Sequence, residues 1–411
     1  MWRRRIRAGL VAAVLVLLPF VALAGGLGIA ALMAVLGIAT ALLAVASTSG
    51  RRRPGEWFAA LLAFALWAAL STLWSTHPLP GGLAVLGATP FKLLFGVVIF
   101  TVAAGAVMHS ADRRREAFGH LALAAFVLLL ALALVDLVSG YGLSQFVDSP
   151  DTDLQLRLED ARKNVGRGVV VAVLLLPAAG IAACAQLRGT IGGGVAASAA
   201  LLLVLATALA GQLSGQWVVF PALLAALFAG AVAWRFPRAG TLAAFALAGL
   251  SLALAPVLGR IGGALSPEAK AALPFSAEHR AEIWAYVTAR VSEAPLVGHG
   301  FGSSRAFDAT TNIRGFDMPL LSLHPHNMGL QLWLETGAVG VALALAALGT
   351  LAFRAVDWVD GEPKRAAAVA GLVAASTVVG AVSFGVWQEW WWALLFLAAA
   401  LLPVHLPERK V

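Results

Sequence analysis

Twelve long apolar runs, spaced from residue 8 to residue 404, decide what this chain can become. They cover roughly 8–24, 28–47, 57–74, 91–108, 120–139, 165–184, 194–210, 217–234, 239–258, 328–353, 367–385 and 388–404. Each approaches the ~20 residues that carry a helix across a hydrocarbon core. A helix satisfies its own backbone there, where no water can. The reading is an all-α polytopic membrane protein of about 12 transmembrane helices, a single integral unit over 1–411. Only 12% of the residues are charged, against about 25% in soluble domains, which leaves no room for a separate soluble domain. The N-terminal run resembles a signal peptide. Further spans follow it with no small-residue cleavage site, so it reads as an uncleaved first helix.

An even number of runs puts both termini on one side, and the basic residues say which. Of the 29 Lys and Arg, 18 lie in the seven segments on the side of the N-terminus, among them Arg3–Arg5, Arg51–Arg53 and Arg113–Arg115. The four short segments on the other side carry none. Short loops report orientation well, so both termini are expected in the cytoplasm, with the long loops facing outward. The formal charge of +8 is therefore a topology signal, and no nucleic-acid partner is implied. The single Cys184, inside an apolar run, excludes a disulfide framework and a thiolate metal site.

Two outer loops hold most of the polar chemistry. The first, 140–164, is mixed in charge. The second, 259–327, is far longer than ordinary connections, and loops of that length are commonly functional. Within it Ser276 is expected to cap a helix with apolar positions Ile283, Trp284, Val287 and Val291. Pro295 and the glycine-rich stretch 298–302 then end that helix and place Arg305.

The candidate residues sit at these outer ends. Arg167, between Gly166 and Gly168, either snorkels to the interface or stands as a fixed cation for an anion. Arg280 and Trp284, four apart, share one helix face. His324-Pro325-His326-Asn327 lies where the long loop re-enters the membrane. A metal pair there lacks a third ligand at a familiar spacing. His326 is either a general base near neutral pH or a satisfied structural histidine. Glu335, two turns into the following span, must find a partner. Guanidinium groups suit a diphosphate, because they are permanently charged and bind two oxygens at once. Trp284 or Trp333 could stack on a sugar face.

These residues resemble the O-antigen ligase and O-antigen polymerase superfamily. The resemblance rests on His326-Asn327 followed nine residues later by Gly337-x-x-Gly340, and on Arg280-x-x-Ile283-Trp284. The 295–302 turn ending at Arg305 and the Asn164-x-x-Arg167-Gly168 start of the sixth run add to it. It covers about 164–340; elsewhere only hydropathy agrees. The family resemblance implies a GT-C-like helical bundle that acts as a glycosyltransferase without metal or other cofactor. The donor would be an undecaprenyl-diphosphate-linked glycan and the acceptor a hydroxyl such as that of lipid A–core. Arg167, Arg280 and Arg305 would bind the donor diphosphate, and His326 would act on the acceptor hydroxyl, with inversion at the anomeric carbon. His324, Asn327, Trp284 and Glu335 would support the site or contact the acceptor. The chain departs from many members at Gln216, which stands near where they carry an arginine. A repeat-unit polymerase is the nearest alternative. A transporter is a different class, but transporters place their polar features near the bilayer midplane.

Overall fold

The computed structural model describes residues 2–45, 55–80, 88–147, 153–191, 193–321 and 323–405. Its helices are α1 (Trp2–Leu23), α2 (Gly28–Val45), α3 (Glu56–Leu70), α4 (Thr89–Val138), α5 (Leu154–Ile191), α6 (Gly193–Ser214) and α7 (Val219–Arg235). They continue with α8 (Pro237–Ala253), α9 (Ala255–Gly263), α10 (Pro267–Ala271), α11 (Phe275–Glu293), α12 (Met328–Val359), α13 (Pro363–Val382) and α14 (Glu389–His405). Among the described residues, eight helices are long and apolar enough to cross a membrane, or nine if the bent pair α8–α9 is one span. Three further apolar helices, Gly28–Ala44, Val219–Arg235 and Glu389–Val404, are shorter. This is an all-α polytopic membrane protein.

Two elements differ from the hydropathy reading. The expected runs 91–108 and 120–139 both appear as spans, Thr89–Ser110 and Glu116–Val138, within the 50 residues of α4. No Gly or Pro stands between His109 and Glu116 to interrupt its backbone. The expected loop 140–164 is helical from Leu154 onward, as the first turns of α5. The run 239–258 is bent by 58° between α8 and α9. Pro256 causes the bend, since it cannot donate to the carbonyl of Leu252 four residues earlier. That carbonyl instead accepts from Trp333 Nε1 at 3.0 Å. Trp333 is thus tied between helices.

The long loop is ordered. Its α11 begins at Phe275 with Pro274 before it and no side-chain cap. Ser276, expected as the cap, lies inside the first turn, and its carbonyl accepts from Arg280 Nη1 at 3.0 Å. A two-stranded antiparallel hairpin, β1 (Thr310–Ile313) and β2 (Phe316–Pro319), has no counterpart in the sequence reading. Its turn residues Arg314 and Gly315 both have positive φ, the conformation tight hairpins demand. Arg314 anchors it on α11 through Glu278 at 2.7 Å.

The core centres on α5, where Val165 and Val169 to Ala172 are fully buried. Connections that follow odd-numbered apolar runs meet at one end of the bundle. Asn164 packs against Gly25, Gln216 against Gly166, and His77 against Gly302. At the opposite end Arg238 approaches Asp360 at 3.9 Å.

Candidate functional site

The site is built on a broken helix. At Gly337 α12 departs from helical geometry (φ 63°, ψ −168°), a combination essentially reserved for glycine. A break at membrane depth orphans backbone groups, and these must be paired by protein. The 295–300 turn does most of this. His299 and Gly300 donate to the carbonyls of Leu334 and Glu335 at 2.8 and 3.0 Å. Ala338 and Val339 donate to the carbonyls of Pro295 and Leu296 at 2.9 and 3.1 Å. Trp67 Nε1, from α3, donates to the Thr336 carbonyl at 3.0 Å. The glycine spacing read from the sequence is therefore a socket for the turn that carries Arg305. The residues after α3 hold the same turn. Trp74 Nε1 donates to the Gly298 carbonyl at 3.2 Å and Ser75 Oγ to that of Phe301 at 2.7 Å.

Glu335 locks this arrangement. It is 0% exposed. Its carboxylate accepts from Gly302 N (2.5 Å), Ser304 Oγ (2.5 Å), Gln331 Nε2 (3.1 Å) and Trp387 Nε1 (2.7 Å). Four donors fill a buried carboxylate that would otherwise be costly to enclose. Glu335 is a partner of the fold and has no surface left for an acceptor.

One turn before α12, the chain makes the His324–Asn327 corner. Asn327 is the N-cap of α12, its Oδ1 accepting from Leu330 N at 2.9 Å. His326 sits in the left-handed region (φ 53°). Trp284, from α11, fixes the corner by donating Nε1 to the Pro325 carbonyl at 2.9 Å. His326 Nδ1 lies 3.0 Å from the Ser383 carbonyl. A carbonyl only accepts, so Nδ1 carries the proton and Nε2 keeps its lone pair. His324 Nδ1 accepts from the backbone N–H of His326 at 3.2 Å, and its Nε2 lies 3.4 Å from Gln388 Nε2. The two rings lie edge to face, 4.6 Å apart.

The electrostatics favour a neutral pair. Burial pushes His324 down to about 3, and the positive charges of His326, Arg305 and Arg280 act in the same sense. Burial also lowers His326; the Ser383 carbonyl opposes this, while Arg280 and His279 add to it. Burial lowers Arg280 too, yet guanidinium stays charged near neutrality. Arg280 and Arg305 are thus near enough for their charges to be felt at the histidine corner. Glu278 and Glu282 are taken by Arg314 and Lys270. No carboxylate among the described residues pairs with Arg280 or Arg305, and the buried Arg280 Nε has no partner there. The corner therefore combines a neutral imidazole with two unneutralised guanidinium groups.

Arg167 belongs to a neighbouring group. Its Nη1 donates to Asn164 Oδ1 at 3.4 Å. The Gln216 amide lies against Gly166, and Arg162 Nη2 lies beside Gly215. No hydrogen bond or ion pair among the described residues joins Arg167 to the histidines. Among those residues, no three His, Cys, Asp or Glu side chains group as metal ligands. Sequence reasoning missed Ser383, Trp387 and Trp67. Ser383 acts through its carbonyl, which leaves no side-chain signature, and the two tryptophans are indistinguishable in sequence from lipid-facing ones.

Fold and site together define a multispan membrane protein with a polar, arginine-flanked histidine corner at one end of its bundle. Residues 197–345 match the family described as O-antigen ligase. Over that stretch the chain is similar to the O-antigen ligases. It is 32% identical over 137 residues to a protein of Rickettsia prowazekii (strain Madrid E) named "Putative polysaccharide ligase". Proteins of the same name from Rickettsia typhi and Rickettsia bellii match at 32% and 31%. Each match covers 31% of this chain and 33% of the relative, so the likeness spans about a third of either protein. No solved structure matches.

Proposed function

We propose that this protein transfers a glycan from undecaprenyl diphosphate to an acceptor hydroxyl, such as that of lipid A–core, on the periplasmic face of the inner membrane. Both termini are then cytoplasmic. The observation that carries the reading is the free lone pair of His326 Nε2, within electrostatic reach of Arg280 and Arg305, which pair with no carboxylate among the described residues. A base and a diphosphate-binding pair are what inverting transfer from a lipid diphosphate needs, and they stand at one corner.

In this reading His326 Nε2 takes the proton of the acceptor hydroxyl as its oxygen attacks the anomeric carbon. The bond from that carbon to the diphosphate oxygen breaks on the opposite face, and the anomeric configuration inverts. Undecaprenyl diphosphate leaves with its charge held by Arg280 and Arg305, which need not reorganise as that charge develops. Arg167, in the adjoining group, would meet the rest of the head group. No metal or other cofactor enters a step. The site supplies the base and the cations from its own side chains. The polysaccharide ligase names of the relatives favour ligation over polymerisation of repeat units.

The test is a lipopolysaccharide gel of a deletion strain beside a complemented one, with lipid-linked glycan extracted in parallel. Loss of long chains from the core with accumulation on the polyprenyl carrier is the expected result. Core bearing single repeat units would instead make the protein the polymerase. No change in either pool would overturn the reading and move attention to exopolysaccharide or transport.

A further inference from the structure

Glu335 takes no part in the steps above, yet its carboxylate touches both halves of the site. Its four donors come from two flanking segments and from α12 itself. One limb reaches the Arg305 turn. Gly302 and Ser304 donate to the carboxylate, and Arg305 N donates back to the Gly302 carbonyl at 3.0 Å. The other limb reaches the segment between α13 and α14. Trp387 donates directly, and Gln331 bridges, giving Nε2 to Glu335 while its Oε1 accepts from Val386 N at 2.8 Å. Three residues before Val386 lies Ser383, whose carbonyl fixes the His326 ring.

We propose that Glu335 is a positioning residue that sets the register between the donor-binding arginine turn and the segment orienting His326. The inference rests on the reading of the site given above. Its chemical logic is the polarity of the partners. All are donors, and a carboxylate alone accepts four hydrogen bonds while offering none. Glutamine in its place turns one side into a donor facing N–H groups. It can tolerate the rotatable Ser304 hydroxyl, but it then confronts Gln331 Nε2. Gln331 cannot turn over without losing Val386. A substitution that conserves shape therefore disturbs the segment holding the base.

The experiment uses the full chain in proteoliposomes, with a synthetic polyprenyl-diphosphate glycan as donor. Amount and melting temperature are measured for every variant. Misplacement of reacting groups by an ångström costs up to about a hundredfold in rate, so smaller shifts are expected to be clearly readable. Ser304→Ala is expected to raise the donor KM about tenfold with kcat within about twofold. Trp387→Phe is expected to lower kcat about tenfold with donor KM within about twofold. Glu335→Gln should show both effects. The exchange Gln331→Glu with Glu335→Gln, which restores donor–acceptor matching, should recover most of kcat. A purely structural role predicts no such split: the limb variants would lose active protein in parallel with melting temperature, and that result overturns the proposal. So does Glu335→Gln at wild-type kcat and KM. His326→Asn in the same assay separates the two readings. If it is inactive while Glu335→Gln is normal, only the positioning role fails. If both are normal, the reading of the site itself fails.

Discussion

His326→Asn removes the base while keeping almost everything else at that corner. The residue lies at φ 53°, where asparagine is among the few residues tolerated without glycine's freedom. An asparagine amide nitrogen occupies nearly the place of an imidazole Nδ1, so the hydrogen bond to the Ser383 carbonyl survives. What disappears is Nε2 with its lone pair. A positioned general base contributes about 10²–10⁴ in rate, or roughly 2.7–5.5 kcal/mol of barrier at ~1.36 kcal/mol per decade. Loss of part of a half-buried ring costs stability only about 1 kcal/mol. His326→Ala is a worse probe. It keeps the left-handed backbone strain the histidine already carries and loses the hydrogen bond as well, at about 1 kcal/mol. The assay is transfer from lipid-linked glycan to acceptor in proteoliposomes, with donor binding measured separately. The expected outcome is a fall in kcat of at least about a hundredfold at near-normal donor affinity. A folded Asn variant that keeps wild-type kcat would remove His326 from the proton transfer.

Arg280→Lys should raise the donor KM by about tenfold or more, because an ammonium cannot supply the guanidinium fork; donor titration reads this, and unchanged affinity would count against a diphosphate role. Burial holds His326 below the ordinary imidazole range of about 6.5. The neutral ring is the active form, so activity should persist as pH falls below 6.5 and disappear only through the lower folded value; a pH–kcat profile with its acid limb at or above 6.5 would contradict this. His324 is lowered to about 3. The unfolded chain therefore binds the extra proton first, and stability should be complete above about 6.5 and fall steadily toward pH 3, as followed by thermal unfolding in detergent. Gly337→Ala forces a Cβ into φ 63°, against the Leu296 backbone. It should cost more than about 2 kcal/mol, seen as lost folded protein after membrane extraction.

The membrane architecture was legible because hydropathy and the one-sided distribution of Arg and Lys are written directly in the chain. The two histidines were legible as well, and their rings stand 4.6 Å apart just before α12. The supporting residues acquire specific partners. Asn327 proved to be a helix cap, Trp284 a clamp on Pro325, and Glu335 a buried acceptor of four hydrogen bonds. Each was visible as a polar or aromatic residue in the right region, but its partner lies tens or hundreds of residues away. Gly337 shows the limit well. Its spacing from His326 was plain, while the reason for it, a break that receives the 295–300 turn, exists only once α12 and that turn meet. The hairpin 310–319 escaped because its short strands alternate weakly and lie within a loop. Ser383 escaped because a carbonyl belongs to every residue.

The break in α12 also says something about autonomy. The segment that carries the family likeness, 197–345, is not self-sufficient. Trp67 closes the break from α3, and Trp387 and Ser383 complete the site from beyond α13. Until α3 docks, the Thr336 carbonyl at the break lacks its tryptophan donor, and until the segment after α13 docks, Glu335 and His326 lack their partners there. Maturation of this protein is therefore a closing of two distant ends upon a middle, and a truncated chain would inherit the recognisable motif without a working corner.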